Sequence, residues 1–200
     1  MAEWSNAAVL KTVEAQVSGG SNPSLSATLS SGFIMAQSPT PHLPSEGETL
    51  PHFSLSAAYP NKEEKILSDQ DFIGSPWVLF VYPKDATSGC TIEVCEFREL
   101  AAEFDKLKVK LVGLSRDKLS AHHKFIANQN LPYPLLSDAE QELLHGLDLI
   151  AHKTMYGKPV TKVLRTTFVM DDDNKVLKVF ENVSAPGHAK TVLEFLHSVL

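Results

Sequence analysis

The sequence is short of cysteine, arginine and basic charge, and each shortage closes off a class of function. Only two of its 200 residues are cysteines, Cys90 and Cys95. A secreted disulfide scaffold carries more, and does not place its only pair five residues apart. Two thiols cannot build a four-cysteine zinc site, and no histidine pair stands beside them at ligand spacing. His122 and His123 are neighbours on an expected helix and point in different directions, so they read as ordinary partly buried or surface histidines and no metal is expected. Lysine and arginine together number 18 against 24 aspartates and glutamates, a net charge of −6. The lysines are scattered rather than gathered in a stripe, so nucleic acid is not an expected partner. No apolar run approaches the roughly 20 residues needed to span a bilayer, so no membrane partner is expected either. What remains is 43% hydrophobic and 21% charged residues, the balance of a soluble globular chain long enough for one domain with its own core. The cysteine pair reads as chemistry in a reducing compartment, and the expected location is cytoplasmic.

Residues 1–45 differ from the rest. They are rich in Ser, Ala, Asn, Pro and Gly, contain no arginine, and show no sustained helical or strand period. A secretory leader needs a basic start and a compact apolar stretch, and a transit peptide is usually Arg-rich; neither fits. With permitted codons, Gly20–Pro23 can be written as the T-arm of a transfer RNA gene. Glu3–Thr12 can likewise be written as the D-arm and anticodon arm of a serine transfer RNA. The expectation is that residues 1–34 come from an over-extended reading frame and that translation starts at Met35; the alternative is a genuine disordered tail. Residues 46–200 are expected to form the single folded domain.

From residue 46 the pattern is regular. Leu50–Ala57 and Lys65–Leu67 read as strands, the second before a polar turn. Trp77–Tyr82 (WVLFVY) is a continuous apolar run, as in a central strand buried on both faces. A helix is expected over Thr91–Leu107, a strand over Lys110–Ser115, and a helix over Leu119–Asn130. A short strand at Pro134–Leu136 and a short helix over Ala139–Gly146 follow. Thr166–Met170 and Val176–Phe180 flank a polar turn and read as a hairpin. That turn, Asp171–Lys175, lacks the Gly and later Glu of a calcium loop and reads as solvated. A final helix over His188–Leu200 carries Ala189, Val192, Leu193, Leu196 and Leu200 on one face. This order implies an α/β fold, a central mixed sheet with helices on both faces, compatible with a thioredoxin-like core.

The chemistry concentrates at one loop–helix junction. A cysteine attacks as its thiolate, and its ordinary pKa of about 8.5 means that an active thiol needs help. A helix N-terminus supplies unpaired N–H groups and partial positive charge. Cys90 follows Ser88-Gly89 at that point. Thr87 can set a hydroxyl beside the sulfur, and Pro83 stiffens the loop and shields it from water. Val94, Phe97, Ala101 and Phe104 continue the stripe that begins at Cys90, which puts Cys90 on the core-facing side. Cys95 is rotated from it by about 140° and raised by about 7.5 Å. A disulfide needs Cα atoms within roughly 7 Å and suitably directed Cβ atoms, so the two can bond only if the first turns unwind.

Pro83-Lys84-Asp85-Ala86-Thr87-Ser88-Gly89-Cys90 resembles the Pro-x-x-x-Thr-x-x-Cys active-site motif of peroxiredoxins. The longer run FVYPKDATSGCTIEVCEFREL resembles the bacterioferritin-comigratory-protein or peroxiredoxin Q subfamily, in which a resolving cysteine lies five residues after the peroxidatic one. The similarity continues through GLSRDKLSAHHKF, LPYPLLSD and MYGKPVTKVLRTTFVMD, and so covers residues 46 to 200. It implies a thiol-specific peroxidase acting on hydrogen peroxide and organic hydroperoxides, with Cys90 peroxidatic, Cys95 resolving, and Thr87 and Pro83 forming the site. It also implies that Arg165, one of three arginines with Arg98 and Arg116, stabilises the thiolate and the departing oxygen, and that Glu93 orients Arg165. Thioredoxin is the implied reductant, a monomer the implied state, and no cofactor (metal, haem or flavin) is implied. The subfamily usually has Pro where this chain has Ser88, a change that loosens the loop or adds a hydroxyl.

A thioredoxin-fold binding or redox-sensing protein without efficient turnover is the rival reading; a dithiol oxidoreductase would use the Cys-x-x-Cys pair that is absent here. The reading-frame expectation has its own test. The intact mass of the natively expressed protein should correspond to a chain starting at Met35, and a mass that includes residues 1–34 removes the idea.

Overall fold

The computed structural model describes residues 40–155 and 158–200. The expected reading-frame extension, residues 1–34, therefore lies outside the described residues. The elements in chain order are β1 (Ser54–Ala58), β2 (Glu64–Ser68), a 3-10 turn (Asp69–Phe72), β3 (Trp77–Val81), α1 (Ser88–Lys106), β4 (Lys110–Ser115), α2 (Leu119–Gln129), β5 (Leu135–Ser137), α3 (Glu142–Gly146), β6 (Ile150–Met155), β7 (Lys158–Val163), β8 (Thr166–Met170), β9 (Val176–Phe180) and α4 (His188–Val199).

Seven strands form one sheet in the order β2-β1-β5-β4-β3-β8-β9, and β6 and β7 form a hairpin of their own. The pairs β3–β4 and β4–β5 are parallel, while β1–β5, β3–β8, β1–β2 and β8–β9 are antiparallel, so the sheet is mixed as expected. The crossovers from β3 through α1 to β4, and from β4 through α2 to β5, step in the same direction across the sheet. Right-handed connections then put both helices on one face. Val78, Phe80 and Tyr82 point to that face and pack with α1, α2 and α4. Trp77, Leu79 and Val81 point to the other, against Phe53, the 3-10 turn, α3 and the end of β7. Every residue of β3 is buried, which is why the run reads as continuous hydrophobicity rather than alternation. Helices thus lie on both faces, unequally shared. No described helix is long and apolar enough to cross a membrane.

Several boundaries differ from the sequence reading, each for a local reason. The first strand begins at Ser54 rather than Leu50, because Pro51 has no N–H to give and the Phe53 N–H turns to the Asp69 carboxylate. Thr49 keeps a single bridge to Lys175. α1 begins at Ser88, three residues before Thr91, since Thr87 in extended conformation is its N-cap. α3 begins at Glu142 rather than Ala139, because the Asp138 carboxylate accepts from the N–H groups of Glu142 and Leu144. The β6–β7 hairpin has no counterpart in the sequence reading: it pairs only with itself, and its lysines and Pro159 hide the strand signal. The turn after β8 is not purely solvated. Asn174 is 9% exposed, accepts from Trp77 Nε1 at 2.8 Å and donates to the Asp69 carbonyl at 2.6 Å. Leu43 packs against the core just ahead of residue 46, and Pro44 beside it is buried.

One glycine in the sheet is required by space. A Cβ on Gly113 in β4 would lie 2.6 Å from Leu135 Cδ2 and 2.9 Å from Phe80 Cζ. Gly113→Ala is expected to lower stability by about 1–3 kcal/mol, the range for overpacking a filled core. Urea denaturation measures it, and an unchanged midpoint would contradict this close approach.

Candidate active site

The loop after β3 is pinned from beneath by buried polar groups. The Tyr82 hydroxyl donates to Asp85 Oδ1 at 2.8 Å, and His122 Nδ1 meets Asp85 Oδ2 at 2.8 Å. His122 Nε2 lies 3.1 Å from the Leu136 carbonyl oxygen, which can only accept, so Nε2 carries a proton. The Asp85 N–H donates to Asp117 Oδ2 at 2.8 Å. His122 is entirely buried, which corrects the expectation of a partly buried or surface residue, whereas His123 reaches Glu64 at the surface. No cluster of three potential metal ligands occurs among the described residues. The anchors sustain a local strain. Ala86 sits at φ 56°, a left-handed conformation costing a residue with a Cβ roughly 1–2 kcal/mol.

Ala86 turns the chain into α1. The Thr87 carbonyl accepts from the Thr91 N–H at 2.8 Å and closes the first turn. The Thr87 hydroxyl donates to the Lys84 carbonyl at 3.1 Å rather than reaching the sulfur, so its proton is committed and its lone pairs are left to accept. Ser88 occupies the first helical position, which proline also tolerates. Ser88 and a proline are thus both compatible with this helix start. Pro83 is half-buried at the start of the loop.

Cys90 is 1% exposed, on the stripe with Val94, Phe97 and Phe104 that the spacing indicated. Arg165, just before β8, donates from Nη2 to Cys90 Sγ at 3.3 Å and from Nη1 to Glu93 Oε2. Glu93 is fully buried, and its second oxygen has no partner among the described residues. Burial pushes the Glu93 carboxyl up to about 7, against the pull of Arg165 and with a further push from Glu96. Burial draws the Arg165 guanidinium down, but Glu93 and Cys90 outweigh it and the net direction is up. His188, which opens α4, rests 2.8 Å from the Thr167 hydroxyl, and burial followed by the nearby Arg165 holds it down to about 4. It stays neutral, and Arg165 remains the cation that faces the sulfur. Sequence reading missed His188 and the Asp85–His122 pair. A buried polar side chain has no periodic signature, and their partners are remote in the chain.

Cys95 is half-buried and its thiol donates to Gln129 Oε1 at 3.4 Å. Both cysteines are free thiols on an unbroken helix. A buried cysteine sulfur at a helix start, facing a guanidinium, suits nucleophilic attack on an electrophilic oxygen.

The comparisons with known proteins agree with that chemistry. A model of the AhpC/TSA family matches residues 47–179. Peroxiredoxin Bcp of Xanthomonas campestris is 41% identical over 119 residues, which cover 60% of this chain and 74% of that protein. The bacterioferritin comigratory protein of Xanthomonas campestris, solved in trapped intermediate and ligand complexes bearing on its alkyl peroxide reduction, is similar with a TM-score of 0.67. That match has 36% identity and covers 73% of this chain and 90% of the other. A cysteine-to-serine variant of peroxiredoxin Q from Xylella fastidiosa gives a TM-score of 0.70 at 33% identity, covering 77% and 96% respectively.

Glu93 makes a pH prediction. Its folded value lies above the ordinary carboxylate range, so its contribution to stability is complete below its ordinary value of 4.5 and is lost as pH rises through about 7. The loss is on the order of 3 kcal/mol. Urea midpoints at pH 5 and pH 8 should therefore separate in the wild type and draw together in Glu93→Gln; equal separation in both would show that another group sets the slope.

Proposed function

The chain belongs to the AhpC/TSA family as a peroxiredoxin of the Bcp or peroxiredoxin Q kind, a thiol peroxidase with a thioredoxin-like fold, and from that premise we propose that Cys90 is its peroxidatic sulfur and Cys95 its resolving one. The observation that carries this reading is the Arg165 guanidinium, 3.3 Å from a buried sulfur at the start of α1.

In the proposed cycle the Cys90 thiolate attacks the terminal oxygen of hydrogen peroxide or an organic hydroperoxide. The S–O bond forms as the O–O bond breaks, and water or an alcohol leaves after taking up a proton. Arg165 stabilises the thiolate beforehand and the negative charge that builds on the leaving oxygen. The Thr87 hydroxyl accepts a hydrogen bond from the incoming peroxide, Glu93 fixes the guanidinium plane, and Pro83 walls the loop side. The Cys90 sulfenic acid is then attacked by Cys95 once the first turns of α1 unwind. The resulting disulfide is reduced by an external dithiol, for which thioredoxin is the proposed donor. Residues 46–200 carry this activity in a reducing, cytoplasmic setting as a monomer, with Met35 as the proposed start.

Peroxide consumption coupled to thioredoxin and its reductase tests the assignment. Cys90→Ser should abolish turnover, and Arg165→Lys should lower the rate of Cys90 oxidation by about 10²–10³-fold, the scale for losing a directed charge stabiliser. Cys95→Ser should give no intramolecular disulfide. Unchanged turnover in Cys90→Ser would overturn the reading, and a disulfide-linked dimer in the wild type would move the resolving role between molecules.

A further inference from the structure

α1 is tied to the rest of the protein at two separate places. Among the described side chains, Arg165 alone reaches its first turns by hydrogen bonds, through Cys90 and Glu93, while Cys90 also packs in the core. From Val94 onward the ties come from other elements. The Tyr133 hydroxyl donates to the Val94 carbonyl oxygen at 2.6 Å, and the Cys95 thiol donates to Gln129 Oε1 at 3.4 Å. The Gly187 N–H donates to Glu96 Oε1 at 2.7 Å, and Arg98 donates to the Gln129 carbonyl at 2.8 Å. Phe97, fully buried, stacks on Phe80 with ring centres 4.4 Å apart.

Oxidation of Cys90 acts on the first place only. A sulfenic acid is neutral where the thiolate was negative, so Arg165 loses an ionic partner and keeps Glu93. The ties from Val94 onward are unchanged by that step. Unwinding that begins at Ser88 meets its first fresh obstacle at the Val94 carbonyl, held by the buried Tyr133 hydroxyl.

We propose that Tyr133 is a positioning residue for the resolving step: it halts the unwinding of α1 at Val94 and keeps Cys95 seated against Gln129, so that Cys90 travels to Cys95. This rests on the pairing of Cys90 with Cys95 proposed above. Four residues separate the two, and once unwound they can bend back to bring the Cα atoms within the roughly 7 Å that a disulfide needs. The Cys95 thiol gives up its proton, and its sulfur attacks the sulfenic sulfur of Cys90. The S–S bond forms, the S–O bond breaks, and the departing hydroxide takes up a proton as water. Cys95 is oxidised in the step and the sulfenic sulfur reduced, so the electrons balance.

Hydrogen exchange on the whole protein, reduced and after one equivalent of hydrogen peroxide, reads the boundary. Amides up to Val94 should open as one unit, and those from Arg98 to Lys106 should stay protected. In Tyr133→Phe, which removes one hydroxyl, the Arg98 amide should join the opening unit. Initial oxidation of Cys90 should keep its rate, while disulfide closure slows by about fivefold, the factor carried by one ordinary hydrogen bond. Sulfinic acid should accumulate at correspondingly lower peroxide, a split between the two steps that general destabilisation would not produce. Protection lost through Phe104 in the oxidised wild type, or closure in Tyr133→Phe as fast as in the wild type, overturns the proposal. A boundary at Val94 in a wild type that forms no Cys90–Cys95 bond would support the hinge and defeat the pairing instead.

Discussion

The contact between the Arg165 guanidinium and the Cys90 sulfur is the interaction around which the rest of the structure is arranged. It joins the start of α1 to the start of β8, elements 75 residues apart in sequence, and sets a full positive charge against a sulfur that is almost wholly shielded from water. In so little water the charge acts on the sulfur with far more force than it would at the surface. The same guanidinium must also satisfy Glu93, whose burial would otherwise be unsupported on both oxygens. Neighbouring groups avoid competing with it. His188 is held neutral by burial and by Arg165 itself, and so adds no second cation.

That contact demands that the loop before α1 hold its shape. Ala86 is in a strained backbone conformation, and the chain passes through it to set Thr87 as the N-cap. The Tyr82, Asp85, His122 and Asp117 interactions offset the strain from below, on the side of the sheet where α2 packs. Every hydrogen-bonding atom of His122 is used, so a buried imidazole here reinforces the loop instead of costing stability. Its two ring nitrogens join the loop before α1 to β5.

The helix has two conflicting obligations in the proposed cycle. Attack on peroxide needs its first turn intact, because that turn aims Cys90 and supplies the N–H groups. Resolution needs the same turn undone, because Cys90 and Cys95 project about 140° apart on a continuous helix. The distribution of ties along α1 accommodates both. The first turn depends on an ionic partner that the chemistry itself removes, and the turns after Val94 depend on neutral hydrogen bonds and aromatic packing that it does not touch.

Much of this was legible in the order of residues. The buried strand Trp77–Val81, the helix stripe from Cys90 to Phe104, the hairpin Thr166–Phe180 and the final amphipathic helix follow from apolar periodicity. That signal is local, since one or two turns of chain decide which side chains share a face. The motif around Cys90 and the spacing to Cys95 were also local, and the unwinding condition followed from helix geometry alone. The tertiary structure decided what periodicity cannot carry. It committed the Thr87 hydroxyl to the Lys84 carbonyl, buried His122 against Asp85, and set the β6–β7 hairpin apart from the main sheet. It also brought Gln129 and Tyr133 to the middle of α1. Each of these is a polar contact between residues distant in the chain or a choice among several partners in reach. Such choices depend on which neighbours the folded core leaves available, and that is settled only when the sheet and helices have packed.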